Sequence, residues 1–525
     1  MSLIMAVPHA FSVAELKDLP TVLVSALSFI LIPGALIFCL QLLQPGPVIK
    51  GAKGSLIDQY LFGIETKLGF LSGRSAYKFN ALHEKYGTPT TPPHPISDPP
   101  LTLLLGNIVR FAPNQLSSNT LKGMRNIYGA AGKSNVFLKT AFYKAISRRN
   151  IFTAQDIHYH ATVRKLFAPS LSPGCMAAHE PVIKGCIARF HDLVKTRMQR
   201  GSALSLNDLY YSLSVDMVSE VLLGKSLGCI ERGRPFFWTE QLPRIFYWAT
   251  IRDQFQGSGI PTMIKWMLRQ ILRKGIRQRS EEARMRLIRE QLKATHTRRD
   301  IMVEVMERSE SSTLPEDEIA ENFSAIMLAG FHTTSHAICA TIWLVLSHPD
   351  VRAELQTELR GAFTSTDDIS LDVLAKLPWL NAVITEALRV YPPVPLGGAR
   401  VSPGAYVDGV YVPAGVEVST SLYALHHNSE YFANPYKFAP ERWIDPASTD
   451  KKEAVQPFLL GSRSCIAKYF AQQMLLLTLA SFFVEFDGTY VGRVRDWTTD
   501  SRCYAFWEIP DLKVRLQDRM ASPSA

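Results

Sequence analysis

The chain lacks the features that mark several common classes of protein. Its seven cysteines are odd in number and scattered, and none stands in a Cys-x-x-Cys pair, which disfavours a disulfide framework or a structural zinc site and indicates a reducing compartment. No fixed-period repeat is present, which argues against solenoids and propellers. Apolar residues make up 47% of the 525 positions and charged residues 20%, so neither global disorder nor a multi-span membrane bundle is expected. The net charge of +10 is spread over the chain, so we expect an anionic membrane surface or an acidic protein as partner and no nucleic acid.

Charged residues are also absent from residues 21–43, which are mostly apolar. A helix of this length spans about 34 Å, enough to cross the hydrocarbon core of a bilayer. A cleaved signal peptide is the alternative, but it needs a basic leader, and the first 15 residues contain no Lys or Arg. We therefore predict a single-pass anchor over residues 1–44, with its transmembrane helix at about 21–43. Lys50 and Lys53 follow the span, which predicts that the rest of the chain faces the cytosol.

Proline is concentrated in one segment, residues 88–107, which holds six prolines. That density excludes a helix or a central strand and predicts a solvent-exposed loop. The alternative is a non-coding stretch retained in the gene. The predicted organisation is an anchor at 1–44, a linker at 45–74, and one large domain at 75–525 that carries residues 88–107 as an inserted loop.

Helical patterns dominate the remainder. The clearest runs from about residue 315 to 347, with acidic residues in its first turn and no formal charge over 323–346. It is apolar nearly all round, which fits either a second membrane span or a buried core helix, and its His, Thr and Ser residues favour the core. Further helices are predicted at 371–390 and 467–483, and short strands at 406–418 and 512–516. The predicted fold class is mainly α with small β-sheets.

The residues with the most specific chemistry lie at 458–467, Phe-Leu-Leu-Gly-Ser-Arg-Ser-Cys-Ile-Ala. A lone cysteine is most often a small buried apolar residue. Cys465, however, follows a glycine turn and precedes a helical pattern, and the N–H groups of a helix start favour a thiolate. Arg463 indicates an anionic group beside it, and Phe458 offers a flat apolar surface. A thiolate, an aromatic ring and an anion-binding arginine suit an iron porphyrin.

The same segment resembles the haem-binding signature of the cytochrome P-450 family, Phe-x-x-Gly-x-Arg-x-Cys-x-Gly. Phe458, Gly461, Arg463 and Cys465 occupy signature positions, and only the last position differs, where Ala467 replaces glycine. The resemblance implies that Cys465 is the axial ligand of the haem iron and that the other three residues contribute to the haem site. It also implies the cytochrome P-450 fold over nearly all of the chain beyond the anchor.

Three residues are predicted to be structural. Glu386 and Arg389 match the Glu-x-x-Arg motif of the family, and Arg442 matches the arginine of its later Pro-Glu-Arg segment. An ordinary surface salt bridge would explain the Glu–Arg spacing equally well. By resemblance, the three side chains form a buried network behind the haem.

Three further residues are candidate haem contacts. His160 and Arg164 match the His-x-x-x-Arg helix of the family, which binds the haem propionates, and one helical turn separates them. This spacing is common by itself, and it indicates a haem contact only in combination with the other motifs. By resemblance, Arg400, which follows the extended stretch after the Glu-x-x-Arg helix, is a third propionate contact.

Residues 329–334, Ala-Gly-Phe-His-Thr-Thr, resemble the oxygen-activating segment of the family. Ala329 and Gly330 are predicted beside the haem, where Gly330 would allow the helix to bulge open. Thr333 is predicted to supply the catalytic hydroxyl. His332 stands where the family has a carboxylate, and it either relays protons, with an unperturbed pKa of about 6.5 that titrates between pH 5 and 8, or only fills space.

The resemblance implies a haem-thiolate monooxygenase that uses haem b, O2 and electrons from NADPH. A NADPH-cytochrome P-450 reductase would deliver those electrons, with cytochrome b5 as a second candidate donor. It further implies a monomer in the endoplasmic reticulum membrane with a cytosolic catalytic domain. The segments at 83–87, 110–114 and 443–446 resemble those of family members from fungal secondary metabolism. The expected substrate is therefore a small lipophilic terpenoid or polyketide intermediate.

By position in the family, a set of mostly small or apolar residues is predicted to line the pocket: Ala325, Ala329, Phe331, Val394, Leu396, Cys503 and Tyr504. The aromatic-rich residues 235–251 either belong to the core or line a substrate entrance. Two other functions stay open. A haem-thiolate isomerase or dehydratase would need no reductase, although such members tend to lose the threonine present here as Thr333. A non-catalytic haem sensor would bind haem without reductase-dependent oxygen consumption.

Overall fold

The computed structural model describes most of the chain beyond residue 63. The described residues are 64–86, 107–112, 114–129, 136–236, 239, 246–250, 276–294, 298–493 and 496–519. The predicted anchor at 1–44, and all of the proline-rich segment except residue 107, lie outside them, so both stay predictions. The predicted linker at 45–74 is described from residue 64 onward, where a helix already begins.

Helices form most of the described structure, so the predicted mainly α class is confirmed. In chain order they are α1 (Ile64–Leu71), α2 (Ser75–Tyr86), α3 (Leu121–Tyr128), α4 (Ala141–Ile146), α5 (Ile157–Phe167), α6 (Pro173–Ala177), α7 (Glu180–Met198), α8 (Asn207–Leu223), α9 (Cys229–Arg232), α10 (Ile276–Leu292), α11 (Ile301–Ser309), α12 (Glu316–Ser347), α13 (Pro349–Ala362), α14 (Leu371–Leu374), α15 (Pro378–Val390), α16 (Leu422–His426), α17 (Glu441–Ile444), α18 (Lys468–Glu485) and α19 (Trp497–Asp500).

Small sheets complete the described fold. The strands are β1 (Ile108–Ala112), β2 (Gln115–Ser118), β3 (Leu138–Lys139), β4 (Leu204–Ser205), β5 (Arg400–Val401), β6 (Ala405–Val407), β7 (Val410–Val412), β8 (Glu417–Thr420), β9 (Phe486–Tyr490), β10 (Arg502–Tyr504), β11 (Phe506–Glu508) and β12 (Lys513–Asp518). The largest sheet has the order β1-β2-β8-β5-β3, in which only β2 and β8 pair in parallel. The other sheets are β4-β12-β9, β6-β7 and β10-β11.

The longest described helix, α12, packs against α8, α10, α15 and α18. Its first turn carries Glu316, Asp317 and Glu318, which favour a helix N-terminus. It ends at Ser347 before His348, since Pro349 disfavours helical backbone in the preceding residue and begins the next helix. Its length and composition would allow it to cross a membrane, but 67% of its most apolar window is buried within the described structure. The prediction of a core helix is therefore confirmed.

The other predicted elements compare with the structure as follows. The single helix expected over 371–390 is wrong, because Pro378 does not continue α14 and instead lies in the first turn of α15. The β pattern at 406–418 forms the hairpin β6-β7 and the start of β8. Asp408 (φ 48°) and Gly409 (φ 84°) make the two-residue turn of the hairpin, since both adopt left-handed backbone. The predicted helix at 467–483 and strand at 512–516 are α18 and β12.

Candidate functional site

The loop that precedes α18 carries the candidate iron ligand, Cys465. Leu459 (φ 59°) and Gly461 (φ 73°) adopt left-handed backbone, and the N–H of Cys465 donates to the Phe458 carbonyl at 2.9 Å. A Cβ added at Gly461 would lie 1.9 Å from the carbonyl oxygen of Tyr128. Only glycine meets both demands, a positive φ and this close approach. The loop thereby presents the cysteine just before the first turn of α18.

Cys465 faces a cavity of about 380 Å³, and its exposed surface is part of the cavity wall. Burial raises the pKa of its thiol, and this effect exceeds the lowering caused by the Ala467 N–H, Arg164 and Lys468. The Ala467 N–H at the helix start thus favours the thiolate in the predicted direction, but the desolvation of the thiol outweighs it. A bound metal cation would supply the stabilisation that the thiolate lacks.

Basic side chains from separate parts of the chain converge on the same cavity. Lys139, His160, Arg164 and Arg463 line it, and Arg400 pairs with Lys139 across β3 and β5. Burial and the neighbouring Arg463 lower the pKa of His160 to about 3, and burial and Arg400 lower the pKa of Arg463 to about 10. Burial, Arg400 and Arg463 also lower the pKa of Lys139 well below its usual value. Cations that depress one another in this way indicate a place for an anion.

Hydrogen bonds orient these cations without neutralising them. Arg463 donates to the carbonyls of Ala154 at 2.6 Å and Gln155 at 3.1 Å, and Arg164 donates to the carbonyl of Ser464 at 2.8 Å. All three acceptors are uncharged. Glu417 is the only carboxylate among the described residues that line the cavity, and it accepts a hydrogen bond from Gln115 instead of pairing with a cation.

The residues present fit a haem group. Cys465 offers a thiolate ligand, the basic cluster offers partners for the propionates, and Phe458 lines the same cavity as apolar surface. Lys139 and Tyr143 were not predicted. Tyr143 also lines the cavity, and its hydroxyl accepts a 3.2 Å hydrogen bond from Arg400 Nη1. They escape sequence reasoning because the pairing of β3 with β5, each two residues long, follows no motif.

Helix α12 forms another wall of the cavity. Ala329, Gly330 and Thr333 line it, and the hydroxyl of Thr333 donates to the Ala329 carbonyl at 2.7 Å. The predicted bulge at Gly330 is absent, because the helix is regular throughout Glu316–Ser347. The missing side chain serves packing instead: a Cβ at Gly330 would lie 3.1 Å from a methyl group of Val218.

His332 lies on a different face of α12 from Thr333. Among the described residues, it lines a second cavity of about 270 Å³ with His336, Asp208 and Glu508. Burial lowers the pKa of His332 to about 4, and burial with the nearby His332 lowers the pKa of His336 to about 3. The expectation that His332 titrates between pH 5 and 8 is therefore wrong, because its imidazole is desolvated. The structure also does not bring it into the cavity of Cys465.

Some of the residues predicted to line the substrate pocket do line the cavity of Cys465. Ala325, Val394 and Leu396 line the cavity together with Ala329, whereas Phe331 is fully buried and absent from the cavity wall. Ala505 and Phe506 line it where Cys503 and Tyr504 were predicted, because the hairpin β10-β11 turns at Ala505 (φ 75°). From the aromatic-rich segment at 235–251, Phe246 and Thr250 reach the wall.

The predicted structural residues lie together in the interior. Arg389 and Arg442 both donate to the carboxylate of Glu386, and Glu386 and Arg389 are fully buried. A surface salt bridge, the alternative interpretation, is therefore excluded. None of the three lines the cavity of Cys465, which agrees with a structural position.

A cysteine, a basic cluster and a threonine of a long core helix that share one cavity in an α-rich domain define a haem-thiolate protein. A sequence model of the cytochrome P-450 family matches residues 109–511, and the chain belongs to this family. The predicted cytochrome P-450 fold is confirmed. The protein is a cytochrome P-450 monooxygenase.

Related proteins and solved structures support the assignment to this family. Averantin hydroxylase of Dothistroma septosporum is 30% identical over 476 residues, covering 86% of this chain and 84% of that protein. Trichothecene C-4 hydroxylase of Trichoderma arundinaceum is 29% identical over 439 residues, covering 79% of this chain and 86% of that protein. Cytochrome P-450 monooxygenase ORF9 of Penicillium roqueforti is 28% identical, covering 85% of each chain. The crystal structure of the cytochrome P450DA haem domain matches with a TM-score of 0.70 at 15% identity, covering 90% of this chain and 99% of that one.

Proposed function

We propose that this monooxygenase is a membrane-anchored hydroxylase that inserts one oxygen atom from O2 into a small lipophilic secondary metabolite, a terpenoid or polyketide intermediate. The observation that carries the proposal is the convergence of Cys465, Arg164 and Arg463 on one largely apolar cavity. Two relatives named as hydroxylases, averantin hydroxylase and trichothecene C-4 hydroxylase, support hydroxylation over isomerisation or dehydration.

Haem b, when bound, supplies the iron chemistry that activates O2. Cys465 Sγ would provide its thiolate ligand. Arg164, Arg400 and Arg463 would hold the propionates, with His160 and Lys139 beside them. Because the basic side chains donate mainly to neutral carbonyls, their charges stay available for the propionates. Thr333 and the small residues Ala329 and Gly330 leave room for the haem against α12.

Proton supply falls to Thr333. Its Oγ1 lies on the cavity wall and donates to the Ala329 carbonyl, so release of that bond would let the hydroxyl donate into the cavity. His332 can contribute only indirectly, because it borders the second cavity. The apolar wall around Thr333 excludes bulk water, which protects reducing equivalents from unproductive loss.

Electrons would come from NADPH through a NADPH-cytochrome P-450 reductase, with cytochrome b5 as a second candidate donor. Lys165 and Lys468 are exposed near the loop of Cys465, Lys468 at the start of α18, and they offer charge complementarity to an acidic flavoprotein. The uncharged residues 21–43 support a single-pass anchor in the endoplasmic reticulum membrane with the catalytic domain in the cytosol. We expect a monomer.

The test combines one spectrum with one product measurement. Cys465→Ala should abolish the red-shifted ferrous–carbonyl band typical of thiolate ligation, whereas Cys175→Ala, a cysteine outside the cavity wall, should keep it. Coexpression with a reductase and metabolite profiling should then give a product one oxygen atom heavier than its substrate, absent with Cys465→Ala. A band retained by Cys465→Ala, or product formed without NADPH, would overturn the proposal.

A further inference from the structure

The residues that line the cavity of Cys465 include two chemical groups, one basic and one aromatic. Tyr143 and Phe152 lie beside the basic cluster, since Lys139 Nζ is 5.1 Å from the Tyr143 ring and 5.4 Å from the Phe152 ring. These rings therefore belong with the haem. The remaining lining carries other aromatic side chains and several polar ones, and we assign the substrate to this part.

Two groups of phenylalanines line that remaining part. Phe246 and Phe506 meet edge to face, with ring centroids 4.5 Å apart at 84°. Phe79 stands between Phe70 and Phe111, with centroids 5.8 Å and 4.4 Å away. All five line the cavity. Phenylalanines in such clusters present both ring faces and ring edges, which a planar aromatic ring matches better than a saturated one.

A carboxylate and an amide form a hydrogen-bonded pair in the cavity wall, where the other uncharged polar side chains outside the basic group carry hydroxyl groups. Gln115 and Glu417 are neighbours across the parallel strands β2 and β8, and Gln115 Nε2 donates to Glu417 Oε2 at 2.8 Å. Burial raises the pKa of Glu417. Within the described part of the chain, Gln115 is the side chain that bonds to this carboxylate, through Oε2, and no cation pairs with it. Glu417 is half-buried, and a carboxyl oxygen on a cavity wall is a strong acceptor for a donor group of a ligand.

We propose that the substrate is a planar aromatic compound bearing a phenolic hydroxyl, with its rings against the phenylalanines and the hydroxyl donating to Glu417. This narrows the substrate class of the proposed function, on which it rests, toward an aromatic polyketide and away from a saturated terpenoid. Glu417 is then a specificity-determining residue, and Phe111 contributes to ring recognition.

Equilibrium dialysis with three probes tests both parts. Biphenyl-4-ol has rings and a donor, 4-methoxybiphenyl lacks the donor, and 4-cyclohexylcyclohexanol lacks the aromatic rings. The haem-loaded wild type should bind biphenyl-4-ol about tenfold more tightly than the methyl ether. Glu417→Leu should remove that preference. The matched control is Glu508→Leu, a carboxylate whose pKa burial also raises but which lines the second cavity, and it should keep the preference.

The ring contribution is tested by Phe111→Leu, which should weaken biphenyl-4-ol about three- to tenfold and leave 4-cyclohexylcyclohexanol nearly unchanged. Equal binding of the three probes by wild type, tighter binding of the saturated probe, or an unchanged phenol preference in Glu417→Leu would overturn the inference. The ferrous–carbonyl spectrum of the same samples separates the two claims: with the thiolate band present, a negative dialysis result refutes the substrate class alone, whereas its absence refutes the proposed function itself.

Discussion

Arg389 and Glu386 are joined by two hydrogen bonds inside the domain, both 2.8 Å long, from Nε to Oε2 and from Nη2 to Oε1. Neither side chain is exposed. Arg442 Nε at 3.0 Å and Trp443 Nε1 at 2.9 Å donate to the same carboxylate. Arg389 Nη1 also donates to the His426 carbonyl at 2.8 Å, so the network connects α15 with α16 and α17. Each charge in it is compensated only while the others are present.

Glu386→Gln should therefore destabilise the protein strongly. Removing one partner of a buried charge network leaves the other charges unpaired, which costs about 3–5 kcal/mol. Trp443→Phe removes only one hydrogen bond to the same carboxylate and should cost about 1 kcal/mol. Urea unfolding followed by tryptophan fluorescence and by the haem absorbance measures both. Equal losses in the two variants would contradict a network held together by charge.

Gly461→Ala should prevent stable haem incorporation. The substitution combines a positive φ with a Cβ that would lie 1.9 Å from the Tyr128 carbonyl oxygen, so the loop of Cys465 must move. Gly409→Ala is the matched control, because Gly409 has φ +84° but no atom within 4 Å of an added Cβ. It should cost about 1 kcal/mol from backbone strain and keep haem. The measurement is the ratio of haem absorbance to protein absorbance. A wild-type ratio in Gly461→Ala would show that the loop can accommodate the added Cβ.

The parts of this site that could be predicted from the sequence are local in the chain. Gly461, Arg463 and Cys465 lie within one loop, and the length and apolar character of α12 follow from its own residues. The pairing of Lys139 with Arg400 could not be predicted, because it depends on how distant segments meet in a sheet.

The side of α12 on which a residue lies could not be predicted from the sequence either. Successive residues of an α-helix point about 100° apart, so neighbours in a motif face different surroundings. His332 and Thr333 are adjacent in sequence yet line different cavities. Only the packing of α12 against its neighbours determines which residue reaches the haem side and how strongly the other is desolvated.

Thr333→Ala should lower the product formed per NADPH consumed by at least tenfold, since it removes the hydroxyl that lies on the cavity wall. His332→Ala should change coupling less than about threefold. With a pKa of about 4, the His332 imidazole stays neutral between pH 5 and 8, so wild-type coupling should not follow its titration there. Measuring product and NADPH across that range for both variants is the test. A large, pH-dependent loss in His332→Ala would restore a direct relay.

A shortened chain beginning at Gly51 should still bind haem but leave the membrane fraction. The reason is that the uncharged residues 21–43 are removed, while every residue that lines the cavity of Cys465 within the described structure is retained. The measurement is the distribution of haem between membrane pellet and supernatant after high-salt washing. As a control, full-length chain with Lys50→Glu and Lys53→Glu should stay in the pellet. Tight membrane retention of the shortened chain would show that a second surface anchors the domain.

Glu485→Gln should make the protein less stable at neutral pH by about 1–3 kcal/mol, and the difference should shrink in acid. Burial by itself would raise the pKa of Glu485, but the hydrogen bonds and charges of His191 and Lys195 outweigh it and lower the pKa from 4.5 to about 2. A carboxyl whose pKa is lower in the folded state stabilises that state above its unfolded pKa, and the stabilisation is lost as pH falls from about 4.5 toward 2. Urea unfolding of wild type and variant at steps from pH 7 to pH 3 should show the two stabilities converging, with Glu354→Gln, at an exposed position of α13, matching wild type throughout. A constant gap at every pH would mean that the substitution acts through packing, because a neutral amide and a carboxylate differ with pH only through the proton that the carboxylate gains.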